Sequence, residues 1–228
     1  MADPSLLTHR PSAIIFDMDG LLLDTERVGS ETMIAAMAEM GFAMTEAQYH
    51  PLIGLPKDAE RRIFTDQFGA GFSAETDYPA MRRIQARIKS ERYGDKRPVK
   101  GGVAAIIAAS EALGLPCAVA TSSDRATTLA HLGHMDLARH MVAVVTRDDV
   151  ARGKPHPDLY LAAAAALGTA PAACLALEDS YNGVRAAHAA GVPVILVPDM
   201  LPPTDEMRRL ALAIAPDLGV VAGWLEGT

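Results

Sequence analysis

The chain has 228 residues and a mass of 24.1 kDa, which suits one large domain or a core with a small accessory domain. Half of its residues are hydrophobic and 21% are charged, as in globular proteins and unlike disordered ones. The net charge of −7 excludes an extended basic surface, which nucleic acid or acidic lipid would require. We therefore expect a folded protein with no nucleic-acid partner and no membrane partner.

Targeting and membrane segments are not indicated by the sequence. The opening MADPSLLTHRPS has a proline and an aspartate where a signal peptide needs a basic and then an apolar stretch, so we predict a short arm. The apolar runs are shorter than the ~20 residues that cross a bilayer. Cys117 and Cys174 lack the paired spacing of a metal site, which predicts buried free thiols and a cytoplasmic location.

Five short apolar runs bounded by turn residues predict buried strands of a parallel sheet. They are Ala13–Phe16, Cys117–Ala120, Met141–Val145, Cys174–Leu177 and Val194–Val197. Segments with helical spacing of apolar residues lie between them, at Gly102–Leu113, Ala126–Leu132, Pro157–Leu167 and Asn182–Ala190. This alternation predicts the α/β class, with a doubly wound, mostly parallel, Rossmann-like sheet.

The interval 27–96 breaks this alternation. It contains three segments with helical spacing and no strand-like run, at Ser30–Met40, Lys57–Phe68 and Tyr78–Tyr93. We therefore predict an all-helical cap domain at 27–96, inserted into an α/β catalytic core that comprises 1–26 and 97–228. Pro98 and the two glycines that follow in RPVKGG suit the returning linker.

Two carboxylates, Asp17 and Asp19, follow the first predicted strand directly. Open α/β sheets place their binding sites at the carboxyl ends of strands, and alternate side chains of an extended chain point the same way. Gly20 permits the turn that follows. The residues of DxDG are also ordinary turn residues, so the motif alone leaves both interpretations open. An EF-hand loop is disfavoured, because leucines 21–23 occupy ligand positions.

Three further polar groups follow later predicted strands. The run TSS at 121–123 suits a phosphate cradle, but taken alone it favours a helix cap. Lys154, in GKPHPD, is either a solvated lysine or the positive charge that phosphoryl transfer requires. Glu178 and Asp179 offer the hard oxygen ligands that magnesium prefers. Four polar strand ends in one sheet are far harder to attribute to chance than any single one.

These segments together resemble a known superfamily. FDMDGLLLDTE, TSS, GKPHPDLYLAAAAALG and CLALEDSYNGVRAAHAAGVPVILV are similar to the four motifs of haloacid dehalogenase (HAD) superfamily phosphatases, in the β-phosphoglucomutase-like branch, subfamily IA. The resemblance covers nearly the whole chain. It implies a phosphoric monoester hydrolase that acts on a small phosphorylated metabolite, with a helical cap that closes over the site.

The resemblance also implies the role of each catalytic residue. Asp17 attacks phosphorus and forms an aspartyl phosphate. Asp19 is the general acid for the departing alcohol and then the general base for water. The phosphoryl oxygens are held by Thr121, the Ser122 backbone and Lys154. The cofactor is Mg²⁺, with the ligands Asp17, the Asp19 backbone carbonyl, Asp179 and Glu178, the last directly or through water.

In the helical insertion, LIGLPKDAE resembles the substrate-specificity loop of this superfamily. Gly54, Lys57 and Asp58 are therefore candidates for contact with the leaving group, although the same residues also suit the exposed start of an ordinary helix. Mutases of this branch have a histidine where this chain has Gly29 and an arginine where it has Lys57. We therefore predict a phosphatase, with a sugar phosphomutase as the alternative.

Three more distant alternatives are disfavoured by the sequence. Asp19 argues against a dehalogenase or a phosphonate hydrolase, which lack an acid at that position in this superfamily. A non-catalytic phosphate-binding module is also disfavoured, because such proteins lose an acid or the lysine and this chain retains both. The sequence gives no sign of an oligomer beyond a monomer or a weak homodimer.

Overall fold

The structure is a computed structural model that describes residues 10–53, 57–94 and 98–227, without the side chains of Lys57 and Asp58. The chain divides into two compact units, Met1–Asp24 with Pro98–Thr228 and Thr25–Arg97. Within the described ranges, no helix is both long and apolar enough to cross a membrane. Most of the predicted N-terminal arm lies outside the described residues.

The first unit contains a six-stranded sheet in which every paired strand is parallel. The strand order is β3-β2-β1-β4-β5-β6. The strands are β1 (Ala13–Phe16), β2 (Cys117–Ala120), β3 (Met141–Val145), β4 (Cys174–Glu178), β5 (Val194–Leu196) and β6 (Ala213–Ile214). The predicted α/β fold class is confirmed. The sequence did not indicate β6, because two residues are too few to produce a recognisable pattern.

The described residues of the second unit form only helices and turns. The helices are α1 (Thr25–Glu39), α2 (Glu46–Tyr49), α3 (Lys57–Phe68) and α4 (Asp77–Tyr93), with 3₁₀ turns at His50–Leu52 and Gly69–Gly71. Helix α1 begins at Thr25 rather than at Ser30 as predicted, because its polar first turn hides the helical pattern. An aromatic cluster fills this unit, in which the Phe64 and Phe72 rings stack with centroids 5.3 Å apart.

The described residues of the α/β unit form six helices. They are α5 (Val103–Ala112), α6 (Arg125–His134), α7 (Asp158–Ala166), α8 (Tyr181–Ala189), α9 (Asp205–Leu210) and α10 (Leu218–Glu226), with 3₁₀ turns at Ala138–His140, Arg147–Asp149 and Pro171–Ala173. The four helices predicted here differ from these bounds by at most two residues. Helix α10 was not predicted because Gly219 and Gly223 lower its helix propensity.

The sheet is covered on both faces. Ile14 and Phe16 of β1 belong to one hydrophobic core, to which α5 and α10 contribute. Ala13 and Ile15 belong to the opposite core, to which α7 and α8 contribute. Cys117 and Cys174 are buried and free, as predicted. Alternate residues of a strand face opposite sides, and both faces of β1 are covered. Side chains from this part of the chain can therefore reach a site only beyond the end of the strand.

Gly102 provides a test of the packing between α5 and α10. It has φ +83°, and an added Cβ would lie 2.2 Å from the Gly219 nitrogen. We expect Gly102→Ala to lower the free energy of unfolding by about 2 kcal/mol or more, because left-handed φ alone costs ~1–2 kcal/mol for alanine. Thermal and urea unfolding would measure the loss.

Gly101→Ala is the matched control for this variant. An added Cβ at Gly101 meets no described atom within 4 Å, so we expect a change within about 0.5 kcal/mol. Equal stability of the two alanine variants would contradict the close approach of α5 and α10.

Candidate active site

Polar side chains collect at the carboxyl ends of three neighbouring strands. Asp17 follows β1, and its backbone N–H donates to the Leu177 carbonyl at 3.0 Å. Thr121 follows β2, and its N–H donates to the Val145 carbonyl at 3.0 Å. Glu178 is the last residue of β4. Since β2, β1 and β4 are adjacent, these side chains lie at one edge of the sheet.

Lys154 joins the ends of β1 and β4. It lies between β3 and α7, and its side chain is only 5% exposed. Its ammonium donates to Asp17 Oδ1 and, at 2.5 Å, to Glu178 Oε1. The Tyr160 ring centroid lies 5.2 Å from the same nitrogen. The positive charge is therefore enclosed by two carboxylates and an aromatic ring.

Glu178 is fully buried, and each of its oxygens accepts two hydrogen bonds. Oε1 accepts from Lys154 and, at 2.7 Å, from the Tyr160 hydroxyl. Oε2 accepts from the N–H and the hydroxyl of Ser180, both at 3.0 Å. A Cβ at Gly183 would lie 1.7 Å from Oε1. The start of α8 is thus shaped around this carboxylate, which is fixed towards Lys154.

Asp179 is less well satisfied. Its Oδ1 is buried and meets no hydrogen-bond donor within the described part of the chain. Its Oδ2 lies where a side chain at Gly20 would be, since a Cβ there would approach to 2.1 Å. Gly20 also has φ +88°, a conformation that favours glycine. Gly20 is therefore needed both for the turn after β1 and for the position of Asp179.

The acids of this edge fit a divalent cation. Asp17, Glu178 and Asp179 each offer one carboxylate oxygen, and these three atoms lie within 4.8 Å of one another. Lys154 is the ammonium that contacts this cluster. An unpartnered buried oxygen beside two further carboxylates is what a hard cation such as Mg²⁺ satisfies.

The electrostatics of the cluster show an excess of negative charge. Burial and, to a smaller extent, the nearby acids raise the pKa of Asp17 to about 8. Together they outweigh the opposing effect of Lys154. Burial, Asp17 and Glu178 also raise the pKa of Asp179. Burial alone would lower the pKa of Lys154, but Asp17 and Glu178 raise it. The lysine stays charged, and the carboxylates need a further cation or a proton.

The hydrogen bonds described for the Asp19 side chain come from hydroxyl groups and not from the Lys154 ammonium. Asp19 Oδ2 accepts from the Ser123 hydroxyl at 2.7 Å and from the Thr121 hydroxyl at 3.4 Å. The Ser122 side chain is exposed. The two aspartates of the first motif therefore occupy different environments, one paired with a cation and the other with hydroxyl groups.

Three predicted substrate contacts cannot be placed. Gly54 lies outside the described residues. Lys57 begins α3, but its side chain and that of Asp58 lie outside the described residues as well. Their contact with a leaving group stays a prediction.

Comparisons with known proteins agree with this geometry. The sequence model of the haloacid dehalogenase-like hydrolases matches residues 14–197. Protein CbbY (plasmid) of Cupriavidus necator is 35% identical over 219 residues, which are 91% of this chain and 85% of that protein. Hexitol phosphatase B of Escherichia coli K12 is 33% identical over 204 residues, 88% of this chain and 89% of that protein.

Among solved structures, a HAD-family hydrolase of Deinococcus radiodurans with bound phosphate and sodium is similar in fold. Its TM-score is 0.80 at 26% identity, over 94% of this chain and 97% of that one. The present chain belongs to the haloacid dehalogenase-like hydrolase family. The predicted resemblance to phosphatases of subfamily IA is confirmed, and so is the enzyme class, a phosphoric monoester hydrolase.

Two side chains of the site, Tyr160 and Ser180, received no role in it from the sequence, and Ser123 received one only as a member of the TSS run. Tyr160 lies in a helix whose composition is typical of core, and Ser180 reads as a helix cap, which it also is. Ser123 is part of the TSS run, but the run does not reveal which hydroxyl faces Asp19. A hydroxyl directly after a strand-end acid was the available signal for Ser180.

The charge imbalance predicts a metal effect on stability that can be measured without an activity assay. At Mg²⁺ about 100-fold above its dissociation constant, we expect a gain of about 2.7 kcal/mol, or about 5 to 10 °C in Tm. Asp179→Asn should lose most of this gain, because it removes a carboxylate ligand. Without metal it should be at least as stable as the parent, because it relieves repulsion between acids.

Thermal scans in chelator and in magnesium chloride would measure both effects. Glu226→Gln changes an exposed acid on α10 and should keep the full magnesium gain. An equal gain in Tm with magnesium in the parent and in Asp179→Asn would show that Asp179 is not a metal ligand.

Proposed function

We propose that this hydrolase is a magnesium-dependent phosphatase of small phosphoesters, such as sugar phosphates or related metabolites, that works through an aspartyl phosphate on Asp17. Support for the substrate class comes from the similarity to a hexitol phosphatase. Support for the mechanism comes from the contacts of the two aspartates.

One observation carries the assignment of roles. Lys154 pairs with Asp17, whereas Asp19, two residues further on, accepts hydrogen bonds from Ser123 and Thr121. Lys154 lowers the pKa of Asp17 against the effect of burial, and a cation bound to the same acids would lower it further, so Asp17 would be charged and nucleophilic in the metal-bound site. A carboxyl group held by hydroxyls can exchange a proton. Two similar acids in different environments typically divide the roles of nucleophile and acid–base catalyst.

In the first step of the proposed mechanism, a carboxylate oxygen of Asp17 forms a bond to phosphorus as the bond from phosphorus to the alcohol oxygen breaks. Asp19 donates its proton to that departing oxygen. Lys154 remains charged throughout and holds Asp17 and the transferring oxygens. The products of this step are the free alcohol and a phosphorylated Asp17.

In the second step, water attacks the phosphorus and Asp19, now a carboxylate, accepts its proton. The bond between phosphorus and the Asp17 oxygen breaks, which releases inorganic phosphate and restores both aspartates. Thr121 and the Ser122 backbone N–H hold the phosphoryl oxygens in both steps, and this electrostatic support is the main requirement of phosphoryl transfer.

Asp17, Asp179 and the Asp19 backbone carbonyl are the proposed magnesium ligands. Glu178 contributes through water, because its oxygens already accept two hydrogen bonds each. When bound, magnesium neutralises charge and aligns the nucleophile with the phosphate. Glu178 itself orients Lys154.

The surroundings of Gly29 favour a phosphatase over the alternative mutase. The Tyr49 hydroxyl would lie 2.5 Å from a Cβ at Gly29, and it donates to Glu26 at 3.1 Å. Burial and Glu26 raise the pKa of Tyr49, so its hydroxyl stays protonated. Tyr49 thus fills the space of a residue-29 side chain, which is the position where the resembling mutases have a histidine.

Asp17→Asn tests the nucleophile. We expect magnesium-dependent phosphate release from para-nitrophenyl phosphate to fall by about 10³-fold or more, since an amide oxygen is a poor nucleophile. Mass spectrometry of acid-quenched protein should show one added phosphoryl group on the parent and none on Asp17→Asn. Glu226→Gln serves as the control with parental rate. Equal rates in the parent and Asp17→Asn would refute the mechanism.

The product distinguishes a phosphatase from a mutase. With a hexose 1-phosphate as substrate, we expect free hexose and inorganic phosphate in equal amounts, because water is the acceptor. Chromatography of the sugar products would measure this. Formation of the 6-phosphate without free phosphate would support the mutase instead.

A further inference from the structure

Ser123 makes the shortest hydrogen bond described for the Asp19 side chain. Its hydroxyl donates to Asp19 Oδ2 at 2.7 Å, whereas Thr121 donates to the same oxygen at 3.4 Å. The family resemblance gives Ser123 no role of its own, and the sequence pattern places it only within the TSS run that suits a phosphate cradle or a helix cap. The contact links the end of β2 to the turn after β1.

The loop that carries Ser123 is fixed at several points. The Ser123 N–H donates to Thr121 Oγ1 at 3.1 Å, and its carbonyl accepts from the Arg147 N–H at 3.3 Å. The next residue, Asp124, caps α6 by accepting from the Thr127 N–H at 2.8 Å. Thr121 is itself fully buried. Ser123 therefore presents its hydroxyl from a rigid support, as a positioning group requires.

A hydroxyl suits a partner that gains and loses a proton. The oxygen of serine can donate to a carboxylate and can also accept from a carboxylic acid. Asp19 must pass between these two forms in each turnover of the proposed mechanism. A backbone N–H can only donate, whereas the Ser123 hydroxyl can donate to the charged carboxylate and accept from the protonated carboxyl group without a change in its position.

We propose that Ser123 is a positioning residue that orients the Asp19 carboxyl group for both proton transfers. This inference rests on the proposed function. In this assignment Ser123 holds the acid–base residue, Asp19, whereas Thr121, the Ser122 backbone and Lys154 hold the phosphoryl oxygens. Ser123 acts through Asp19 and does not itself contact the reacting atoms.

The two steps make different demands on Asp19, and this difference identifies the role. An alkyl phosphate needs a proton on its departing oxygen, whereas para-nitrophenolate departs without one. Loss of Asp19 orientation should therefore slow the first step for glycerol phosphate and spare it for para-nitrophenyl phosphate. The second step needs Asp19 for every substrate, because water must be deprotonated.

Ser123→Ala is the test variant. We expect kcat/KM for glycerol phosphate to fall about 10- to 100-fold, a part of the usual acid–base contribution, and kcat/KM for para-nitrophenyl phosphate to fall less than about 3-fold. With the aryl substrate, phosphorylated protein should accumulate in acid-quenched samples. Ser123→Thr retains a hydroxyl, so its kcat/KM for both substrates should return towards the parental values.

Two further variants separate positioning from a general structural effect. Ser110→Ala removes a hydroxyl that donates to the Ile106 carbonyl within α5, and it should keep the parental ratio between the two substrates. Ser123→Cys keeps the size of the side chain with only a weak donor, and should behave like Ser123→Ala. Equal losses for both substrates, or no loss, would overturn the inference.

Failure of the proposed function would give a different result. In that case the parent itself would release no phosphate from either substrate in magnesium, or Asp17→Asn would match it. If the parent is active, Asp17→Asn is inactive and Ser123→Ala keeps the parental rates, only the role of Ser123 is refuted.

Discussion

The ammonium of Lys154 is almost entirely enclosed, and it contacts Asp17 and Glu178 directly. Removing charges from water costs several kcal/mol for each ion, so such a group persists only if its partners are fixed in place. Here Tyr160 and Ser180 hold Glu178, and Glu178 in turn holds Lys154. Tyr160 of α7 and the N-cap of α8 thus both contribute to the satisfaction of one buried charge.

The same cluster explains why a divalent cation would suit the site. Three carboxylates, those of Asp17, Glu178 and Asp179, have oxygens within 4.8 Å of one another, and the Lys154 ammonium contacts two of them. Burial raises the pKa of both Asp17 and Asp179. An incoming phosphate ester adds more negative charge. A divalent cation would therefore serve two physical needs at once, since it would relieve repulsion among the acids and make the approach of an anion favourable.

The α/β fold and the main acids could be predicted because their signals are local. Short apolar runs between helical segments indicate a parallel sheet, and the residue after each run lies at the strand end. Long-range contacts leave no such signal. Nothing in the local sequence shows that Tyr160 donates to Glu178, or that Ser123 and not Ser122 faces Asp19, because these contacts depend on how separate helices and loops pack.

The weak elements were missed for a related reason. Helix α10 contains two glycines and β6 has two residues, so packing rather than propensity determines them. The reverse case is α1, whose polar first turn masks its start although Val28 is fully buried. Local patterns predict an element when propensity and burial agree, and they fail when tertiary contacts supply most of the stabilisation.

Two glycines show how the site takes precedence over local stability. Gly183 lies within α8, where glycine costs about 1 kcal/mol relative to alanine, and its φ is not positive. Its backbone conformation therefore gives no reason for glycine, but a Cβ there would overlap Glu178. Gly20 is likewise adjacent to Asp179. Glu178 and Asp179 occupy the space that side chains at Gly183 and Gly20 would need. At Gly183, helix stability is therefore reduced so that Glu178 stays beside Asp17.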